Sequence, residues 1–165
     1  MTTLERARSL RHRFAAVLLG HGTCLVDDPF LALETPVLSS GKDAFARAGL
    51  GPSDVDVAEL YDCFTIALMM ELEALGLCGR GESGPYVEAV GVGPGSPLPV
   101  NTHGGLLSAG HPGLPGGFMP VVEAVRQLRG DCGPRQKAGA EVALVHGNGG
   151  VYDVHCTLLL GRHAT

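Results

Sequence analysis

The stretch that most constrains this chain is 101–117, Asn-Thr-His-Gly-Gly-Leu-Leu-Ser-Ala-Gly-His-Pro-Gly-Leu-Pro-Gly-Gly, with six glycines, two prolines and two histidines in seventeen residues. Glycine at that density argues against a packed helix or strand. It gives instead a backbone that can take positive φ or pass close to a ligand, with proline fixing the turns between. An apolar helical pattern follows directly over 118–128. A glycine-rich loop that feeds a helix N-terminus offers N–H groups to an anion or a polarised carbonyl. Imidazole is the side chain suited to moving protons near neutral pH. The segment therefore reads as a ligand loop, with His103 and His111 as its chemistry.

The rest of the composition bounds what such a loop can serve. A length of 165 residues is one domain, 1–165, able to bury a real core. Hydrophobic residues at 45% against 18% charged make it globular. A net charge of −5 argues against nucleic acid as a partner. The five cysteines, Cys24, Cys63, Cys78, Cys132 and Cys156, are odd in number and form no Cys-x-x-Cys pair. That excludes a zinc ribbon or a disulfide framework and points to a reducing, cytoplasmic setting. No metal-ligand spacing links His103, His111 and His146. Residues 1–12 form a basic arm with Arg6, Arg8 and Arg11; the short apolar run after it lacks a cleavage site, so it reads as a strand and not a signal peptide. No run reaches transmembrane length.

Periodicity orders the chain. A buried strand is expected at 14–19, a turn at 27–29, and a helix to 48 capped by Thr35 with Pro36 in its first turn and stopped by Gly49. A second strand falls at 55–60. Residues 63–75 form a helix that is apolar nearly all round and hence buried on most sides. Residues 79–95 read as irregular, 98–101 as a short third strand and 118–128 as the third helix. A fourth strand at 142–145 meets a hairpin turn at Asn148-Gly149-Gly150, and an antiparallel fifth strand runs over 151–160. The order β-α-β-α-β-α-β-β predicts an α/β fold, a five-stranded mixed sheet with helices on both faces. Ligands in such sheets bind beyond the carboxyl ends of the strands. Three clusters are expected to converge there: Tyr61-Asp62-Cys63, the segment from Asn101 to His111, and His146-Gly147-Asn148-Gly149-Gly150.

At these clusters the chain resembles the C-terminal half of a thiolase, closest to the lipid-transfer-protein branch of sterol-carrier-type thiolases and steroid aldolases. The likeness rests on Asn101-x-x-Gly104-Gly105, Gly110-His111-Pro112 and Gly116-Gly117, with Glu59-Leu60-Tyr61-Asp62-Cys63-Phe64 and His146-Gly147-Asn148-Gly149-Gly150. It covers nearly the whole chain, which the resemblance makes a single thiolase half. It implies His111 as acid/base and oxyanion donor, and His146 as the second acid/base, standing where the family carries a cysteine. Tyr61 replaces the asparagine that orients a water in ordinary thiolases and matches the tyrosine acid/base of aldolase members. Asn101, His103, Gly104, Gly110, Asn148 and Gly149 are the expected substrate-binding positions.

The resemblance also implies a partner. The family's reactive cysteine lies in an N-terminal half for which this length leaves no room, and Cys63 matches a different motif and reads as a buried thiol. The implied function is a half-subunit that makes or breaks a carbon–carbon bond beside a coenzyme A thioester, by Claisen or retro-aldol chemistry, together with an N-terminal half or a homologous chain. The thioester is the substrate, and no separate cofactor is implied. The alternative is a non-catalytic acyl-CoA-binding or scaffold subunit that docks a small OB-fold acyl-CoA-binding protein. The 118–128 helix, too apolar to face water, is the expected assembly surface.

Overall fold

The computed structural model describes residues 2–10, 14–28 and 35–164. Their helices are α1 (Leu4–Ser9), α2 (Pro36–Ala48), α3 (Thr65–Ala74), α4 (Ser83–Ala89), α5 (Gly105–Ala109) and α6 (Met119–Arg129), and their strands β1 (Phe14–Leu25), β2 (Val57–Glu59), β3 (Val142–Gly149) and β4 (Val154–Ala164). The sheet order is β1-β4-β3-β2, with β4 antiparallel to β1 and β3, and β2 parallel to β3. The α/β class and the mixed sheet are as expected. The third strand, expected at 98–101, is reduced to a single parallel bridge between Ala58 and Val100.

Alternation along the strands builds two cores. Leu144 and Leu159 join Val37, Phe45, Leu60, Leu72 and Leu75 on the α2–α3 face. Ala143, Val145 and Leu160 join Val57, Ala124 and Leu128 under α6. Helix α2 keeps its expected boundaries, with Pro36 opening it and Gly49 ending it in the left-handed region at φ 67°, but Thr35, expected to cap it, makes no side-chain capping hydrogen bond. It lies tightly on β1 because Gly20 and Gly22 carry no side chain. A Cβ on either would overlap the carbonyl oxygen of Ala44 or Ser40.

Several expectations are corrected. The glycine-rich loop is not free of helix: α5 occupies Gly105–Ala109 and a tight 3-10 turn spans Leu114–Phe118, because glycines supply the left-handed residues at Gly104 and Gly113 that flank them. Residues 79–95 contain α4, whose Ser83 N–H and hydroxyl both donate to Glu73 Oε1, at 3.2 and 2.6 Å. The hairpin turn lies later than Asn148-Gly149-Gly150. β3 runs on to Gly149, paired with Val154, and Gly150 and Tyr152 take the positive φ that reverses the chain. The expected buried strand at 14–19 is instead the edge strand β1, with Leu18 and Leu19 exposed.

Helix α3 is not buried on most sides. Phe64, Ile66 and Met70 are exposed, while the charged Glu71 is fully buried. Helix α6 likewise turns Glu123 and Gln127 inward and Val122 outward. The basic arm is helical over its described part, where the Thr3 hydroxyl accepts from Arg6 N–H. Arg11, Arg13 and Pro29, the last belonging to the turn expected at 27–29, lie outside the described residues.

Candidate functional site

The three predicted segments meet around residues 60–63, just past β2. Asn101 holds the first contact. It takes φ 51°, so its own N–H reaches the Ala58 carbonyl while its Oδ1 accepts from Leu60 N–H at 2.6 Å. Its Nδ2 is buried without a partner among the described residues. Asp62 makes the second contact, accepting from Leu106 N–H at 2.6 Å at the start of α5. Gly105 is needed there because a Cβ would overlap the Asp62 carboxylate. Gly104 enters α5 in the left-handed region and Gly110 leaves it at φ 107°. Both shape the loop that carries His111.

His111 Nε2 lies 2.8 Å from the Tyr61 hydroxyl, with the two rings edge to face. Gly113 N–H donates to His111 Nδ1 at 3.3 Å. A backbone N–H can only donate, so in a neutral ring Nδ1 is bare and Nε2 carries the hydrogen. The hydrogen bond therefore runs from His111 to Tyr61, and the phenol keeps its own hydrogen for another acceptor. Burial, with Cys63 nearby, raises the Tyr61 pKa above its ordinary value, so Tyr61 holds its proton as an acid at neutral pH.

His146 is placed differently. Its ring is fully buried on β3. Its Nδ1 lies 2.9 Å from the Thr157 hydroxyl and its Nε2 3.1 Å from His155 Nδ1. His155 Nε2 faces the Tyr152 carbonyl at 3.0 Å, which only accepts. The ladder then has one direction: His155 donates to Tyr152, His146 donates to His155, and Thr157 donates to His146. Burial, with His155 beside it, pushes the His146 pKa down to about 3. The partner of His111 is thus Tyr61, and those of His146 are Thr157 and His155. Asn148, expected at the substrate, donates to Glu71 Oε1 at 3.3 Å. Gly149 pairs with Val154 at the end of the hairpin.

His103 belongs to a second polar network, on the α6 face. Its Nδ1 bonds Glu59 Oε2 at 3.0 Å, and its Nε2 is buried without a partner among the described residues. The Glu59 hydrogen bond raises the His103 pKa, and burial raises that of Glu59. The Thr102 hydroxyl lies 2.8 Å from Glu59 Oε1 and 2.9 Å from Glu123 Oε1. Glu123 is ionised: burial opposes it, but the Arg135 guanidinium, at 2.6 and 3.0 Å, and the Thr102 hydroxyl hold its pKa down to about 2. Sequence reading missed Glu71, Thr102, Glu123 and Arg135. For Glu71 and Glu123 the signal was a charge set within an apolar helix. Among the described residues no group of three His, Cys, Asp or Glu side chains is arranged to hold a metal ion, and no helix is long and apolar enough to cross a membrane.

Comparison with known proteins follows this geometry. Residues 23–162 match the family model described as thiolase C-terminal domain-like. Rat sterol carrier protein 2 is 44% identical over 110 residues, which are 67% of this chain and 20% of that protein. The 17-hydroxy-3-oxo-4-pregnene-20-carboxyl-CoA lyase of Mycobacterium tuberculosis is 35% identical over 159 residues, 92% of this chain and 40% of that one. The solved structure titled Ltp2-ChsH2(DUF35) aldolase superposes with a TM-score of 0.83 at 32% identity, over 96% of this chain and 42% of its own. The chain thus spans between a fifth and about two fifths of the length of these relatives.

Proposed function

This chain belongs to the thiolase C-terminal domain-like family, and from that premise we propose that it is the C-terminal half of an acyl-CoA enzyme that breaks a carbon–carbon bond by retro-aldol chemistry. The observation that carries the reading is the 2.8 Å hydrogen bond between His111 Nε2 and the Tyr61 hydroxyl. The substrate is a β-hydroxyacyl-CoA thioester. A base takes the β-hydroxyl proton, the Cα–Cβ bond breaks, a ketone or aldehyde leaves, and the electron pair passes to the thioester enolate. Tyr61 gives its proton to Cα. The phenolate left behind is stabilised by the His111 N–H until the first proton returns to it. No electrons leave or enter, and no acyl-enzyme thiol is required. Since both nitrogens of His146 are engaged in the sheet, the base is assigned to the rest of the enzyme. That is an N-terminal half or a related chain, with a small OB-fold acyl-CoA-binding protein as a further partner. Exposed Leu107, Leu114, Phe118 and Val122 around α5 and α6 support such assembly.

The test is turnover by the assembled enzyme of a β-hydroxyacyl-CoA with a tertiary β-carbon, followed by mass spectrometry of the released carbonyl compound. Tyr61→Phe should lower turnover by about 10²–10⁴, the usual worth of a positioned acid, with the fold intact. Full turnover in that variant would sink the proposal. Acyl transfer from acetyl-CoA to a protein thiol, with no lyase activity, would favour the Claisen reading.

A further inference from the structure

We propose that Asp62 is a positioning residue for this reaction, the carboxyl that sets the Tyr61–His111 pair by tying α5 to the segment after β2. The inference rests on the retro-aldol reading of that pair given above. Three consecutive residues of the segment each hold one point of the 101–111 loop. Leu60 N–H donates to Asn101 Oδ1 at 2.6 Å. The Tyr61 hydroxyl meets His111 Nε2 at 2.8 Å. Asp62 Oδ1 accepts from Leu106 N–H at 2.6 Å. The Tyr61 hydroxyl must give up a proton and recover it, so its distance from His111 has to be fixed by other groups.

The tie falls one helical turn before His111. Helix α5 has five residues, and so short a helix does not hold itself together in water. Gly104 and Gly110 at its two ends both take positive φ. Leu106 N–H is a first-turn donor, without a partner inside the helix, and Asp62 receives it. The Leu106 carbonyl accepts from Gly110 N–H at 3.1 Å, and His111 follows Gly110. The two polar groups of one residue thus join Asp62 to the chain that carries His111. The Leu106 side chain is buried, and its tip and the Tyr61 hydroxyl both border the side of Gly116 where a Cβ would stand.

The surroundings of Asp62 fit this use. The residue is 4% exposed, and a carboxyl so enclosed is costly unless its oxygens are used. Its own N–H donates to the Leu60 carbonyl at 3.1 Å, which folds the segment tightly and turns residues 61 and 62 to successive points of the loop. Gly105, whose Cβ would overlap the carboxylate, lets α5 come down onto it. Asparagine keeps an accepting oxygen at the same reach, and alanine removes it. A misplacement of about 1 Å at a reacting group can cost about 10²-fold in rate. A loosened α5 is therefore read in kcat, while KM, set by the rest of the thioester, stays in place.

The experiment compares Asp62→Asn and Asp62→Ala in the assembled enzyme. Two readouts are taken: kcat and KM for the β-hydroxyacyl-CoA, and the nitrogen-15 shift of His111 Nε2 at pH 8, which His111→Ala identifies among the seven histidines. Tyr61→Phe gives the shift of a ring without its hydrogen bond. Asp62→Asn should keep kcat within about threefold and the shift at the wild-type value. Asp62→Ala should lose at least about tenfold in kcat with KM within about threefold, and its shift should move to that of Tyr61→Phe. In the Tyr61→Phe background Asp62→Ala should cost under about twofold more, since the pair is already broken. A folded alanine variant with normal kcat or an unmoved shift would overturn the proposal, and so would an asparagine variant as impaired as the alanine one, or an additive loss in the double variant. Where alanine prevents folding, Asp62→Thr fills the space, stops a bond short of Leu106 N–H and should move both readouts in the same sense. No movement in either would overturn it equally. If the wild-type enzyme has no lyase activity, the functional reading fails, while the His111 shift still decides whether Asp62 positions the pair.

Discussion

Glu123→Gln tests the electrostatics of the α6 network at a single atom pair. The Glu123 side chain is 4% exposed and its Oε1 lies 2.6 Å from Arg135 Nε. In the folded chain its pKa falls from 4.5 to about 2. At about 1.4 kcal/mol for each pH unit, that drop is worth about 3 kcal/mol to the fold. Arg135 is 33% exposed, so water screens part of the attraction and about 2–3 kcal/mol is the expected loss. The sign follows from linkage. A carboxyl with a depressed folded pKa stabilises fully above its unfolded value, and that stability is lost as pH falls from about 4.5 through about 2. Urea denaturation at pH 7 should therefore show the glutamine variant about 2–3 kcal/mol less stable, with the gap narrowing steadily below pH 5 to about a quarter of that at pH 2.5. The other carboxylates are common to both proteins and cancel in the difference. A gap below about 0.5 kcal/mol at pH 7, or one that stays constant down to pH 3, would refute the reasoning.

Other outcomes are expected from the same structure. His146, with a folded pKa near 3, should show no ring-proton titration by NMR between pH 8 and pH 4.5, and a midpoint near 6.5 would contradict its burial. Because its folded pKa is depressed, its contribution to stability is present above about 6.5 and is lost on acidification. Gly22→Val should destabilise by about 1–3 kcal/mol or more by urea melt, since its Cβ would overlap the Ser40 carbonyl. Gly147→Ala, which meets open space, should cost under about 1 kcal/mol, and equal costs would show that α2 does not press on β1. Leu114, Phe118 and Val122 are 98%, 70% and 55% exposed, and burying such area stabilises by roughly 25 cal/mol per Å². The chain should therefore self-associate or capture a partner at micromolar concentration. Phe118→Ser with Val122→Ser should weaken that association in analytical ultracentrifugation, and a monomeric wild type would end the argument.

The amino-acid sequence determined the elements whose signals are local. Pro36 and Gly49 bound α2 because a fixed φ at its first residue and a left-handed one past its last act within one turn. Alternating apolar runs set the strands, and their order set Tyr61-Asp62-Cys63, Asn101 to His111 and His146 to Gly150 towards one end of the sheet. The hairpin was legible, but its turn was misplaced by a few residues, since Gly149 can pair in a ladder as well as turn and only the register with β4 decides. The tertiary structure decided what depends on which face meets which neighbour. A helix apolar all round has no preferred side, so sequence could not show that α3 would expose Phe64 and Ile66 and bury Glu71. It could not show that His111 would find Tyr61, 50 positions earlier, or that His146 would be locked between Thr157 and His155. The first pairing joins two loops and the second crosses from β3 to β4. Hydrogen bonding selects them only once the strands are in register, whereas residue type alone makes every histidine near a glycine loop an equal candidate.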